Sequence, residues 1–587
     1  MLLPSSIKAG SHILIKTIGN AYYQATEFSS EQGGGHIKSG GDIYFDQVID
    51  SRSNNATGTH GKGKLTLGGG MGSKELRLDL GGGYQKNDDH ESNAKVSQIN
   101  ARHDVIFDAA NITLIGTEIG NEKAKVGNVQ MMAGQKLILG ASLSDSANNG
   151  LKAGGNIRVG GKVSASVTDS SKMGFIGGDG NADKVNESQV VRKGMKIYSA
   201  GVLSLQAGSD DNQAIYTQGL QVDAKKVDVS ANKGGIFMES ALTILPKDNW
   251  NFDINADLVL TSKFNKDSDG LIDKSSGSKS HYTGAGIKVG IDKQDIVEHQ
   301  NTHIKTDTFT LKSHKDTRMV GADVSTDIAL VDVGGDLHIE SQKDKQDITK
   351  VLVNFALSHT NDKSSSVVSN ISKIGTKRFE GQIKDILTRG INKTGAAYNK
   401  RFPPKDTMGG VSFSKDKQTV ALPPLSSKTQ SQNLADKTAR FLGDKFKSGL
   451  TGPAGLAGHA NLDVNIVKND AIDHVSGIFA QKMADIKVLG KTTLIAAQIN
   501  NTENKVIANI KELHVGNISN SYHQGGGGFN LASTILGVAR GTISDSASGK
   551  KLLIRTPYNT NKDNNVQGGI FNYSSGEYIM PDVPESN

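Results

Sequence analysis

The 587-residue chain is too long for one ordinary compact core, so it is either several domains or a solenoid that grows lengthwise. Hydrophobic residues make up 36%, aromatics 5%, and cysteine is absent; disulfides, thiolate metal centres and cysteine nucleophiles are excluded, while apolar side chains must still be buried in thin layers. The net charge of +7 is concentrated in residues 371–405, with nine Lys or Arg against two acidic residues, so the remainder offers no distributed cationic face for a nucleic-acid backbone.

The opening Met1-Leu2-Leu3-Pro4-Ser5-Ser6-Ile7-Lys8 has neither a basic leader nor an apolar stretch of signal-peptide length. No run approaches the roughly 18 apolar residues of a membrane-spanning helix. The chain is therefore expected to be a piece of something larger, exported by information located elsewhere.

From Ile13 onward an apolar-x-apolar triplet returns: Ile13-Leu14-Ile15, Ile43-Tyr44-Phe45, Val105-Ile106-Phe107, Ile112-Thr113-Leu114, Leu137-Ile138-Leu139 and Ile157-Arg158-Val159. Further along come Leu203-Ser204-Leu205, Val227-Asp228-Val229, Phe309-Thr310-Leu311, Leu337-His338-Ile339, Ile486-Lys487-Val488 and Leu513-His514-Val515. The middle position is Arg, Asp, Lys, His, Ser or Thr in eight of the twelve, the period-two signature of strands with one buried face. Strands this short need neighbours, and repetition supplies them as the coils of a solenoid. Gly40-Gly41-Asp42, Gly154-Gly155-Asn156 and Gly334-Gly335-Asp336 introduce several of the strands and suit tight corners. About twenty coils at roughly 4.8 Å each predict a rod on the order of 100 Å long. Antiparallel β-sandwiches are the alternative, disfavoured by the scarcity of aromatics.

The gaps between Phe45 and Val105 and between Val229 and Phe309 predict coils carrying insertions. In the first gap, Leu65-Thr66-Leu67 and Leu76-Arg77-Leu78-Asp79-Leu80 run into glycine clusters and predict a projecting hairpin near residues 60–85. Gly58 to Lys64 has the spacing of a phosphate loop, but Leu65 stands where the magnesium-binding hydroxyl belongs. Gly284, Gly286 and Gly290 miss the spacing of a dinucleotide turn. An acidic loop is expected at Gly177-Gly178-Asp179-Gly180-Asn181-Ala182-Asp183. Asn265, Asp267, Asp269 and Asp273 place oxygen ligands at alternate positions around Gly270, as calcium loops do, yet Ser276 occupies the position that wants a bidentate Glu. A polar surface turn is the simpler reading, and no catalytic residue, metal site or cofactor is assigned. The scattered histidines, His338 and His514 included, read as surface residues.

Between residues 349 and 463 the triplet fades, and Pro403-Pro404 and Pro423-Pro424 break the chain. This segment is expected to be a basic, partly helical insertion. Amphipathic stretches run through Val367, Ile371, Ile374, Phe379, Ile383, Ile386, Leu387 and Ile391, and through Leu434, Ala435, Phe441, Leu442 and Phe446. The lysines and arginines of 371–405 suit either a solvated surface or contact with anionic lipid. Repeats resume over 464–531, and 532–587 is expected to be an irregular polar tail. The resulting division is 1–348 repeats, 349–463 insertion, 464–531 repeats and 532–587 tail.

The phrases Ala153-Gly154-Gly155-Asn156-Ile157-Arg158-Val159, Ser39-Gly40-Gly41-Asp42-Ile43-Tyr44-Phe45 and Val333-Gly334-Gly335-Asp336-Leu337-His338-Ile339 resemble the repeats of filamentous haemagglutinin-type exoproteins. The resemblance covers roughly Ile7–Ile348 and Val464–Leu531. It implies an all-β, right-handed parallel β-helix, secreted through an outer-membrane transporter of the two-partner type and held at the bacterial surface. It implies a role in adhesion or, as in contact-dependent inhibition systems, in presenting a toxin to a host or neighbouring cell. Neither an amino-terminal secretion domain with Asn-Pro-Asn motifs nor a Val-Glu-Asn-Asn boundary is visible, and no catalytic residue carries over. A β-helical polysaccharide-degrading enzyme, which needs paired carboxylates on adjacent coils, and an inert fragment of a split gene are the alternatives.

Overall fold

The structure, a computed structural model, describes residues 5–70, 72–166, 169–266, 269, 271–360, 456–503, 506–534, 553–571 and 573–575. No helix occurs among them, and the strands form two sheets of 25 and 10 strands. The helical stretches expected within 349–463 lie outside the described residues.

The larger sheet is a right-handed parallel β-helix of three-sided coils. Equivalent strands stack in parallel register: Ile43 lies beneath Ile112, Ile112 beneath Leu137, and Leu137 beneath Ile215. Coils begin at Ser5, Thr26, Gln98, Glu118, Lys196, Gln221, Thr302, Ala322, Gly477, Gln498 and Gly569, eleven among the described residues. The outer residues of the triplets that form coils point inward, so Phe45, Phe107, Leu114, Leu139 and Phe309 are fully buried in one continuous core. Each such side chain stabilises the stack by about 1.5–3 kcal/mol.

Corner chemistry follows the predicted Gly-Gly-Asp phrase. The Asp42 carboxylate accepts from the Asn111 backbone and side-chain nitrogens at 3.1 and 2.8 Å, and Asn111 Oδ1 accepts from the Lys136 N–H one coil further on. Asp316 and Asp336 repeat the arrangement on later coils. These side chains satisfy corner amides that no ladder reaches.

After every second coil the chain leaves the solenoid in a long antiparallel hairpin. The five hairpins are Val48–Gly70 with Ser73–Lys95, Ser142–Ala165 with Asp169–Lys193, Ala241–Lys266 with Ile272–Gln300, Asp344–Thr360 with Leu456–Ala471, and Ile518–Thr534 with Leu553–Val566. Each pairs with the next, giving one ten-stranded fin. The commensurability is physical: two coils advance the solenoid by two strand spacings, roughly 9.6 Å, and one hairpin advances the fin by the same amount. Only a two-coil period keeps both ladders continuous.

Where one coil passes directly to the next, the chain turns through a left-handed residue: Ala25, Gly116, Gly219, Gly321 and Ala496, with φ of 44°, 60°, 61°, 65° and 46°. The alternate corners hold the hairpins. Buried hydroxyls brace these junctions, as where Ser476 Oγ accepts from the Ala322 N–H at 3.1 Å and Ser341 Oγ donates to the Ala496 carbonyl at 2.6 Å.

Several expectations change. The Ile157-Arg158-Val159 triplet is not a coil; it lies in the second hairpin, antiparallel to Leu78–Leu80. Local alternation encodes a strand, and the partner that reaches it decides which sheet it joins. Gly177–Asp183 and Gly58–Lys64 are strand interiors, not loops. The rod is nearer 50 Å than 100 Å over its described coils, because the hairpins consume much of the chain. Within the expected irregular tail, Leu553–Val566 is a strand that Ile518–Thr534 captures as a partner. The hairpin expected near 60–85 is present and extends from Val48 to Lys95, and the gaps expected to hold insertions hold hairpins.

Candidate contact surface

In the fin, directly opposed residues share a face, so the pairing register assigns every side chain to one of two sides. One transverse row reads Leu65, Leu78, Val159, Ile176, Leu258. Parallel rows on the same side contain Leu67 with Leu76, and Leu80 with Ile157. In the third hairpin the same side carries Trp250, Phe252, Ile254 and Leu258. This apolar face is the open one: Leu67 is 73% exposed, Ile157 58% and Leu260 54%. Toward the fourth hairpin the face closes, and Ile287, Val351 and Phe355 are buried. The open band therefore spans the first three hairpins.

The opposite face is polar and better covered. Arg158 Nη2 lies 3.3 Å from Asp257 Oδ1 and 3.7 Å from Asp179 Oδ1, while Asn156 Nδ2 donates to Asp179 Oδ2 at 2.8 Å. Nearer the solenoid, Lys247 bridges Glu187 at 3.1 Å and Asp292 at 3.3 Å, and Asn249 Nδ2 donates to Glu187 at 2.6 Å. That amide first, and Lys247 second, hold the Glu187 carboxyl below its ordinary range. Glycines make room for these groups: a Cβ at Gly81 would lie 2.1 Å from Asn156 Oδ1, one at Gly177 2.0 Å from Asp257 Oδ1, and one at Gly290 2.0 Å from Asn251 Oδ1. Amides and carboxylates, Asn148, Asp183, Asn251 and Asp463 among them, line a shallow groove of ≈ 790 Å³ on this side.

The sheet is thus amphipathic with its apolar side outward, the reverse of the solenoid. The sequence registered the alternation at residues 65–80 but not the direction in which it faces. A period of 93, 98 and 106 residues between the coil pairs starting at Ser5, Gln98, Lys196 and Thr302 was the signal for the hairpin array.

Residues singled out by sequence are dispersed. Asp228 is an outward solenoid residue paired with Lys226 at 2.9 Å, and His338 pairs with Glu340 at 2.9 Å. Asn265 and Asp273 oppose each other at the end of the third hairpin, with Asp269 in the turn and Asp267 outside the described residues. No group of three or more potential metal ligands forms among the described residues. One carboxylate pair does occur: burial first, and Asp344 second, raise the Asp473 carboxyl, and Asp344 accepts from the His299 backbone N–H at 2.6 Å. Neither acid lines the polar grooves of the fin.

The family described as Hemagglutinin repeat matches residues 78–242 and 176–354, each match running from inside one hairpin across two or more coils. A protein named Hemolysin from Serratia marcescens is 35% identical over 555 residues, covering 93% of this chain and 34% of that protein. A protein named Hemolysin from Proteus mirabilis is 27% identical over 575 residues, covering 96% of this chain and 34% of that protein. The chain spans about a third of the length of the curated relatives it matches. No solved structure matches.

Proposed function

We propose, from the premise that this chain belongs to the haemagglutinin-repeat exoprotein family, that it is a non-enzymatic rod segment whose fin contacts the surface of another cell. The observation that carries this reading is the outward apolar face of the fin. A monomeric soluble protein rarely exposes so extended an apolar patch without a partner for it. The solenoid supplies stiffness, since each coil is hydrogen-bonded to the next, and progressive stacking suits a chain that crosses an outer-membrane transporter unfolded. Secretion by such a two-partner transporter, surface localisation and presentation of a more distal effector are parts of the same proposal. So is any cell-damaging activity of the whole protein, which the names of the relatives support.

The test is binding of the fluorescently labelled full chain to erythrocytes and to bacteria, run beside a reducing-sugar assay on capsular and plant polysaccharides. Saturable cell binding without sugar release is expected. Turnover abolished by Asp344→Asn would replace the proposal with a glycosidase.

A further inference from the structure

The open face of the fin has a pattern that selects its partner. In the first hairpin Lys74 and Lys86 bracket Leu76, Leu78, Leu80 and Tyr84, and in the second Lys172 and Lys184 bracket Ile176 and Ala182 on the same side. Register aligns them: Lys74, Val163, Lys172, Ser262 and Lys279 form one transverse row, and Lys86, Leu151, Lys184 and Trp250 form another. Lys74, Lys86, Lys172 and Lys279 are exposed, and none of the lysines in these rows forms an ion pair among the described residues. Between the rows each strand contributes eleven residues, which sets the two rows about 40 Å apart along the strands. Tyr84, Trp250 and Phe252 gather at one margin, where aromatic side chains favour the boundary between headgroups and acyl chains.

We propose that this face of the first three hairpins seats on an anionic lipid bilayer, with its apolar band among acyl chains and its two lysine rows on headgroup phosphates. The polar face stays in water, because Arg158, Asp179 and Asp257 have no place in hydrocarbon. The sheet therefore lies along the membrane instead of crossing it. A second copy is the weaker occupant: face-to-face pairing sets lysine rows against lysine rows in either direction, whereas anionic headgroups complement both margins. The inference rests on the proposed cell-contact role only in placing the chain outside the cell.

The chain contains a single tryptophan, Trp250, and it lies on this face at 36% exposure. Adding vesicles of phosphatidylcholine with phosphatidylglycerol to the full chain should shift Trp250 emission to the blue and carry the protein upward on flotation. Pure phosphatidylcholine should bind at least tenfold less. Leu78→Asp with Ile157→Asp should abolish both signals while the solenoid retains its β-sheet circular dichroism and unfolding midpoint. Thr66→Asp, on the polar face, should leave binding intact. Neutralising the lysines and arginines of 371–405 separates the two basic regions. Flotation that survives the fin substitutions but fails with the neutralised segment overturns the proposal. So does a solution dimer that the fin substitutions dissociate. Binding to cells with no response to any vesicle would remove the lipid assignment and leave the cell-contact reading standing.

Discussion

The side-chain amide of Gln47 stands in for a peptide group beside Leu143: its Oε1 accepts from the Leu143 N–H at 2.7 Å and its Nε2 donates to the Leu143 carbonyl at 3.3 Å. Gln47 precedes the first hairpin and Leu143 opens the second, so one side chain ties two fin junctions that are two coils apart. Gln47→Leu should remove both bonds while keeping bulk, leaving two half-buried backbone groups unpaired. A loss of about 1–2 kcal/mol is expected, read as faster hydrogen exchange of the Leu143 amide and a lower urea midpoint. Gln47→Glu should recover part of the loss through the retained acceptor.

Direct corners and hairpin corners make different demands. At Gly219, φ is 61° and an added Cβ would lie 2.6 Å from Ala241 Cβ, so Gly219→Ala meets both backbone strain and a clash. A cost of about 2–4 kcal/mol is expected in chemical denaturation. The reverse change at the equivalent corner, Ala25→Gly, relieves a φ of 44° but frees the unfolded chain, and should stay within about 1 kcal/mol of neutral. Equal effects at the two corners would contradict the clash with the hairpin junction.

On the polar face of the fin, Gly177 and Asp257 should be energetically coupled. Gly177→Ala displaces the Asp257 carboxylate from Arg158 and should cost about 1–2 kcal/mol. In an Asp257→Gly background the same change should cost much less. A double-mutant cycle with no coupling would deny that the glycine exists to accommodate the acid.

The solenoid also carries a pH-dependent contact. His303 Nδ1 lies 2.5 Å from Asp323 Oδ2, and this hydrogen bond raises the imidazole above its usual value against the opposing effect of burial. A group whose folded pKa is raised contributes stability that is full below its unfolded value, near 6.5, and is lost as pH rises through the folded value. The wild-type unfolding midpoint should therefore fall from pH 6 to pH 8.5 more than that of His303→Gln. Parallel profiles would remove His303 from the account.

The fourth hairpin should close without the chain between its strands. His359 opposes Leu456 at the last described pair, so a turn of about three residues can replace residues 361–455. The shortened protein should unfold with a midpoint within a few degrees of the parent, and its β-sheet circular dichroism per described residue should be unchanged.

By itself the sequence determined eleven of the coil strands, which of their residues face inward, and two of the corners, Gly40-Gly41-Asp42 and Gly334-Gly335-Asp336. Those properties arise from alternation and glycine chemistry within a few residues, and eleven of the twelve triplets place at least one outer residue in the core. Ile157-Arg158-Val159 shows the limit, because the same phrase serves a coil or a hairpin depending on which strand meets it. Only the tertiary structure decided that hairpins return after every second coil and that their apolar side faces outward. Both follow from matching the rise of two separate ladders, a constraint between segments a hundred residues apart that no local pattern encodes.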